Sequence, residues 1–196
     1  MTTRKDSTTR TYRMRKRQQE MEETRRRIVE AAVELHSSVG PAQTTVSAIA
    51  EVAGVQRSTV YRHFEDEEAI FAACTSHWMA RHPWPRTHEW HTIDDPAARL
   101  RTALVDLYRY YEENRQMLSN SYRDIAVTPA FVGEMMKAFV VETHETLVEG
   151  WSDRAHVVAV GHAIDFRTWQ TLDDQGLDPV EAAGLMASMV AGLDRI

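Results

Sequence analysis

Along almost the whole chain apolar residues recur at steps of three and four. Strict alternation of polar and apolar positions is absent, and glycine is scarce, with eight in 196 residues. That step is the period of one helical face, so the pattern predicts helices throughout and no sheet. Three helix starts are marked by a capping residue followed by proline: Asp95-Pro96, Thr128-Pro129 and Asp178-Pro179. The capping oxygen accepts from the first turn, and proline in the first helical position gives up an N–H that has no partner there anyway. Glu181 completes a capping-box pattern with Asp178. Behind the first start runs the stripe Ala97, Leu100, Leu104, Leu107, Tyr108 and Tyr111. Behind the second runs Val132, Met135, Phe139, Thr143, Leu147 and Trp151. Each is the buried face of a core-packing helix. Two later helices, roughly 155–173 and 179–193, are apolar around much of their circumference. They need cover on both sides, and a second copy of the chain is the expected cover. The expectation is an all-α fold of about nine helices, with the main breaks at 82–95 and 173–177.

Nearer the N-terminus the run TRRRIVEAAVELHSSVG places Ile28, Ala31, Ala32 and Leu35 on one face and ends at Gly40-Pro41. The next segment, TTVSAIAEVAGVQRSTVYRHF, spans Thr44 to Phe64. Thr45 is placed to cap a short helix buried through Val46, Ile49, Ala50 and Ala53, and Gly54 supplies a tight turn. Val55 and Val60 then anchor a second short helix that exposes Arg57, Ser58, Thr59, Tyr61, Arg62 and His63. Where two helices cross so soon after one another, a side chain larger than alanine at 50 would push them apart, and any Cβ at 54 would strain the turn. The second helix is left holding two arginines, a histidine and three hydroxyls outward. Such a face suits the major groove of DNA: arginine for guanine edges, hydroxyls for bases or phosphates, Tyr and His for backbone oxygens.

The overall charge of −6 speaks against nucleic acid until it is divided along the chain. Residues 1–27 carry ten Lys or Arg against four acids, a net +6, which leaves −12 for the rest. One basic end on an acidic body lets a single pole meet phosphate. With Cys74 as the only cysteine, no internal disulfide or thiolate zinc cluster can form, which fits a reducing compartment. The longest nearly apolar stretch, Ala182 to Leu193, falls short of the roughly 20 residues a membrane span needs. The charged N-terminus is followed by no apolar signal core. A cytoplasmic protein without a membrane partner is expected.

At the residues IAEVAGVQRSTVYRHF the chain resembles the TetR family of tetracycline-repressor-like transcriptional regulators, and the resemblance extends over about residues 24–73. It implies that the helix beginning at Gln56 is the recognition helix. Tyr61 and His63 would then bind phosphate, while Arg57, Ser58, Thr59 and Arg62 contact bases or nearby phosphates. Thr45 and Ser47 would touch the DNA backbone through hydroxyl and amide groups. The resemblance also implies a homodimer joined by the last two helices, a two-fold symmetric double-stranded operator, and a body with a cavity for a small-molecule effector. The expected domains are a basic, flexible N-terminal arm over 1–19, a helix-turn-helix domain over 20–81, and an effector-binding and dimerisation domain over 82–196. Two positions depart from the family pattern. Gln56 stands where a Ser or Thr cap is usual and is a poorer cap. Glu67, one of four acids at Glu65–Glu68, stands where the family generally has a lysine near phosphate. The arginines of residues 10–27 are expected to compensate as an arm along the groove.

For the effector, Trp78, Tyr108, Tyr111, Met117, Tyr122, Met135, Phe139, Phe166 and Trp169 are the candidate lining of a mostly apolar cavity, which suggests an aromatic or apolar ligand. The same residues also suit a plain core. His82, His88 and His91, with Glu89, crowd into HPWPRTHEWH and could make the protein a metal-responsive regulator, although a proline-broken loop with solvated histidines and no regular ligand spacing is the simpler account. His162 and Asp165 read as interface or core partners rather than an acid–base pair. No nucleophile motif, phosphate-binding glycine loop or dinucleotide fingerprint is present, so neither an enzyme nor a cofactor is expected. The reading is a repressor released from its operator by an effector; a metal-responsive regulator, or a DNA-binding regulator without an effector, are its alternatives.

Overall fold

The computed structural model describes residues 4–195, with side-chain surroundings for 12–193. Among the described residues there are eleven α-helices and no strand. In chain order they are α1 (Arg4–Ser38), α2 (Val46–Val52), α3 (Arg57–His63), α4 (Glu67–Met79), α5 (Thr87–Trp90) and α6 (Pro96–Glu113). There follow α7 (Arg115–Asp124), α8 (Ala130–Val148), α9 (Arg154–Ala163), α10 (Phe166–Asp173) and α11 (Pro179–Ala191). The chain divides into two compact units. One runs as far as Arg81 and takes in Asn120–Pro129; the other is His82–Ser119 with the residues from Ala130 onward. None of the described helices is long and apolar enough to cross a membrane.

In the first unit α1 is long because nothing between Arg4 and Ser38 interrupts it: no proline or glycine falls there. Its exposed face is laced at helical spacing, with Lys16 on Glu20 (3.9 Å), the Gln18 amide on Glu22 (3.1 Å), and Arg26 on Glu23 (2.6 Å) and Glu30 (2.8 Å). Each such surface pair contributes only about 0.2–0.5 kcal/mol, but all point the same way. From Arg4 on, the segment expected to be a flexible arm is therefore the first half of α1, while its residues 1–3 lie outside the described residues. The second half packs on α2, α3 and α4, burying Ile28, Ala31 and Ala32 with Val46, Ile49, Ala50, Ala53, Val60, Phe64 and Ile70. The end of α1 is closed from far along the chain. The Asn120 amide donates to the carbonyls of His36 and Ser37, Arg123 donates to that of Val39 (2.9 Å), and the Asp124 carboxylate accepts from the Ala42 amide (3.0 Å).

In the second unit α6 lies along α11, where Ala182, Ala183 and Ala187 permit close approach to the fully buried Leu100, Leu104 and Leu107. Burying each such leucine contributes roughly 1.5–3 kcal/mol. The caps at Asp95 and Asp178 form as expected. Asp95 accepts from the Ala98 amide at 2.7 Å, and Asp178 with Glu181 makes the complete reciprocal box. Thr128 does not cap α8. Its hydroxyl donates instead to the Ile125 carbonyl (2.9 Å), closing a 3-10 turn, and α8 begins only at Ala130.

Two features raise the helix number above the expected nine. The helix expected over 155–173 is two, because Asp165 takes extended backbone and caps α10 by accepting from the Arg167 amide at 2.7 Å. The break expected at 82–95 holds α5, pinned by the buried Trp90, whose indole N–H donates to Asp106 at 2.9 Å, and by Thr87, which donates to Glu142.

Candidate nucleic-acid interface

The helix-turn-helix is built from the inside out. Thr45 accepts from the Ala48 amide (3.1 Å) and starts α2, and Val46, Ile49 and Ala50 bury its inner face. The helix ends where Gly54 turns into the left-handed region at φ +65°, with the Gly54 amide donating to Glu51 (3.0 Å) and the Val55 amide to Ala50 (2.9 Å). Only glycine takes that conformation without penalty. Gln56 sits in the capping position of α3 but its side chain makes no cap, so the first turn of that helix rests on its backbone bonds, Thr59 N–H to the Gln56 carbonyl at 2.8 Å among them, and on packing. Val60, wholly buried, and Phe64 provide the packing.

What α3 turns outward is a compact polar face. Arg57, Ser58, Tyr61 and Arg62 are exposed, and Thr59 and His63 are half-buried at its margins. The arginines are held along the helix: Arg57 donates to the Tyr61 hydroxyl (3.3 Å) and lies 5.5 Å over its ring, and Arg62 donates to the Thr59 hydroxyl (2.7 Å). Burial, with the nearby Arg62 and Arg25 charges, lowers the pKa of His63, favouring a neutral ring with one donor and one acceptor. Thr45 and Ser47 are exposed at the start of α2. The eight residues singled out in the sequence thus lie on two consecutive short helices of one unit, which can offer hydroxyls, amides and guanidinium groups to an anionic surface.

Sequence reasoning counted Arg25 among the arginines of residues 10–27 but missed its place beside α3. Arg25 of α1 lies 4.3 Å over the Phe64 ring, tying α1 to the end of α3. Its position in a run of three arginines was visible; its stacking partner, 39 positions on, was not.

The candidate effector residues divide differently. Trp78 on α4 and Tyr122 on α7 are half-buried in the first unit. In the second unit Tyr108, Tyr111, Phe166 and Trp169 form a close-packed ring cluster, with Tyr111 5.4 Å from Phe166 and 5.8 Å from Trp169. The Tyr108 and Tyr111 hydroxyls donate to the carbonyls of Ala163 (2.7 Å) and Ile164 (2.8 Å), where α9 ends. Burial pushes the Tyr108 pKa up. Met117 is buried, Met135 half-buried, and Phe139 stacks at 4.4 Å on Trp84, a residue the sequence reading left out.

In the histidine-rich segment His91 is engaged by Glu149 (3.3 Å) and the Thr146 hydroxyl (3.2 Å), and His88 is exposed. Among the described residues no three His, Cys, Asp or Glu converge as a metal site. His162 faces the Thr168 hydroxyl while Asp165 is engaged as a helix cap, so the two do not form an acid–base pair.

Comparison with known proteins agrees with this geometry. Residues 28–74, from the buried face of α1 to Cys74, match the family described as bacterial regulatory proteins, tetR family. The chain is 41% identical over 58 residues to the HTH-type transcriptional regulator AcrR of Shigella flexneri, covering 30% of this chain and 27% of that protein. It is 32% identical over 96 residues to the HTH-type transcriptional regulator TtgR of Pseudomonas putida, covering 48% and 46%. The aligned part thus spans between about a quarter and a half of these relatives. Across nearly the whole chain the fold is shared. A TetR-like transcriptional regulator from Rhodococcus sp. RHA1 superposes with a TM-score of 0.63 at 18% identity, over 88% of this chain and 96% of that one. NalD, the secondary repressor of the MexAB-OprM multidrug efflux pump in Pseudomonas aeruginosa, does so with a TM-score of 0.58 at 21% identity, over 88% and 95%.

Proposed function

We propose that the chain, which is similar to the TetR family over residues 28–74, is a transcriptional repressor of that kind: a homodimer that grips a two-fold symmetric duplex operator and is released by a small, largely apolar or aromatic effector. The observation that carries this reading is the outward face of α3. Two arginines and Tyr61 stand exposed, with Thr59 half-buried beside Arg62, on a helix whose opposite side is anchored by the wholly buried Val60. In this reading α3 enters the major groove, Arg57 and Arg62 reach base edges, and Tyr61, His63, Thr45 and Ser47 fix the register on phosphates.

The dimer is supported by apolar side chains that the last helices leave uncovered. Val158 of α9 is 63% exposed, and Leu185 and Met189 of α11 are 43% and 59% exposed. Residues of this kind grouped on neighbouring helices mark a surface that another protein covers. A second copy would set two α3 helices against half-sites one helical turn, about 34 Å, apart. The effector's character is supported by the half-buried Met135 and the Trp84–Phe139 ring pair of the second unit. A protein with this task works on genomic DNA in the cytoplasm.

Selection of bound fragments from random genomic DNA tests the proposal. Recovery of a two-fold symmetric sequence with half-sites one turn apart is the expected outcome. Recovery of no shared sequence, or of a single unrepeated half-site, contradicts it.

A further inference from the structure

The basic surface does not end at α3. A groove in the first unit is lined by Arg15, Arg17, Met21 and Arg25 of α1, with one acid, Glu22, and by His63, the last residue of α3. Positions 15 to 25 span about 15 Å of helix at 1.5 Å per residue, so α1 prolongs the candidate interface by that length. Its charges are unevenly spoken for. Lys16 is matched by Glu20, and Arg26 by Glu23 and Glu30, whereas among the described residues no carboxylate pairs with Arg15 or Arg17. Directly after α3 the chain runs into Glu65, Asp66, Glu67 and Glu68, all exposed, and the Glu67 charge acts on Arg57. A helix that approaches phosphates with four acids following its last turn needs further positive charge beside it.

We propose that Arg15 and Arg17, carried on the helical extension of α1, bind the phosphodiester backbone of the same duplex that α3 reads. The proposal rests on the helix-turn-helix reading above. Two features favour nucleic acid as the occupant: the groove's excess of arginine, and its continuity with the recognition helix through His63 and through Arg25, which stacks on Phe64. Phosphate contacts carry charge but no sequence information, so they add affinity and salt dependence while leaving sequence preference unchanged. A phosphate needs only a positive charge here, and lysine supplies one as well as arginine.

The test is the salt dependence of binding to a selected operator duplex, comparing the full-length protein with R15Q/R17Q and R15K/R17K, each checked for helicity by circular dichroism. R15Q/R17Q is expected to bind at least tenfold more weakly at physiological salt and to make the slope of log K against log salt shallower by about 3.6, at about 0.9 per phosphate contact and two contacts from each protomer of the dimer. Its ratio of operator to scrambled-duplex affinity should stay the same, and R15K/R17K should retain the wild-type slope. An unchanged slope in R15Q/R17Q overturns this proposal and leaves the helix-turn-helix reading standing. A changed oligomeric state of R15Q/R17Q in sedimentation assigns the groove to a second copy of the chain and also overturns it. Failure of the wild-type protein to retain any duplex overturns both.

Discussion

The side-chain amide of Asn120 donates to the main-chain carbonyl of Ser37 at 2.7 Å, and also reaches that of His36 at 3.1 Å. The last carbonyls of a helix have no partner within it, and here a residue more than eighty positions later supplies one. Asn120 is itself buried. Replacing it with alanine strands two carbonyls in a site that water does not freely enter. N120A is expected to cost about 1–3 kcal/mol of stability, read as a lowered urea midpoint.

The two glycines of the first unit separate backbone strain from collision. At Gly54 a Cβ would meet only Arg27, at 3.9 Å, so G54A bears the left-handed penalty alone, about 1–2 kcal/mol. At Gly40, φ is +96° and a Cβ would lie 2.0 Å from an Arg123 guanidinium nitrogen and 2.5 Å from an Asp124 carboxylate oxygen. The Asp124 side chain cannot simply swing away, because it is buried and accepts from Ala42. Equilibrium unfolding should therefore rank G40A as more damaging than G54A.

His36 makes the first unit sensitive to mild acid. Burial lowers its pKa to about 4 from an ordinary 6.5, and its ring packs on Phe71 at 4.6 Å with Nδ1 3.5 Å from Cys74. The folded chain thus binds this proton less readily than the unfolded one. The contribution is fully present above about pH 6.5 and is lost as the pH falls through about 4. Denaturant midpoints measured from pH 7 down to 4.5 should fall for the wild-type protein and fall less steeply for H36Q.

In the second unit the hydroxyls of Tyr108 and Tyr111 satisfy the carbonyls at the end of α9. Y108F leaves the Ala163 carbonyl without this bond in a buried site and is expected to lower stability by about 1–2 kcal/mol. A thermal unfolding scan checks it.

Much of the helix-turn-helix is legible in the sequence because its determinants are local. Ala50, Gly54 and Val60 lie within eleven positions of one another, and each leaves its mark on spacing alone. The caps at Asp95 and Asp178 are legible for the same reason. Thr128 has the same cap-proline signature, yet its hydroxyl is taken by Ile125 behind it, a choice between two local partners that the sequence pattern does not rank. The split between α9 and α10 is hidden because apolar residues continue across it. Only the buried carbonyls of Ala163 and Ile164, met by two tyrosines more than fifty positions earlier, make the break tolerable. Ring content alone does not say where a hydroxyl points, so on sequence grounds the same two tyrosines suit an effector cavity. The joining of Asn120–Pro129 to the first unit rests wholly on contacts of that range.

The central claim is that the exposed side of α3 meets DNA. Its most direct test is the affinity of R57A/R62A for an operator duplex at fixed salt, beside the wild-type protein and with unfolding midpoints measured for both. Both side chains are exposed, so the midpoints should agree closely. Binding should weaken by at least tenfold, since a lost arginine contact to a base costs about 1–3 kcal/mol. Wild-type affinity in this variant would contradict the account.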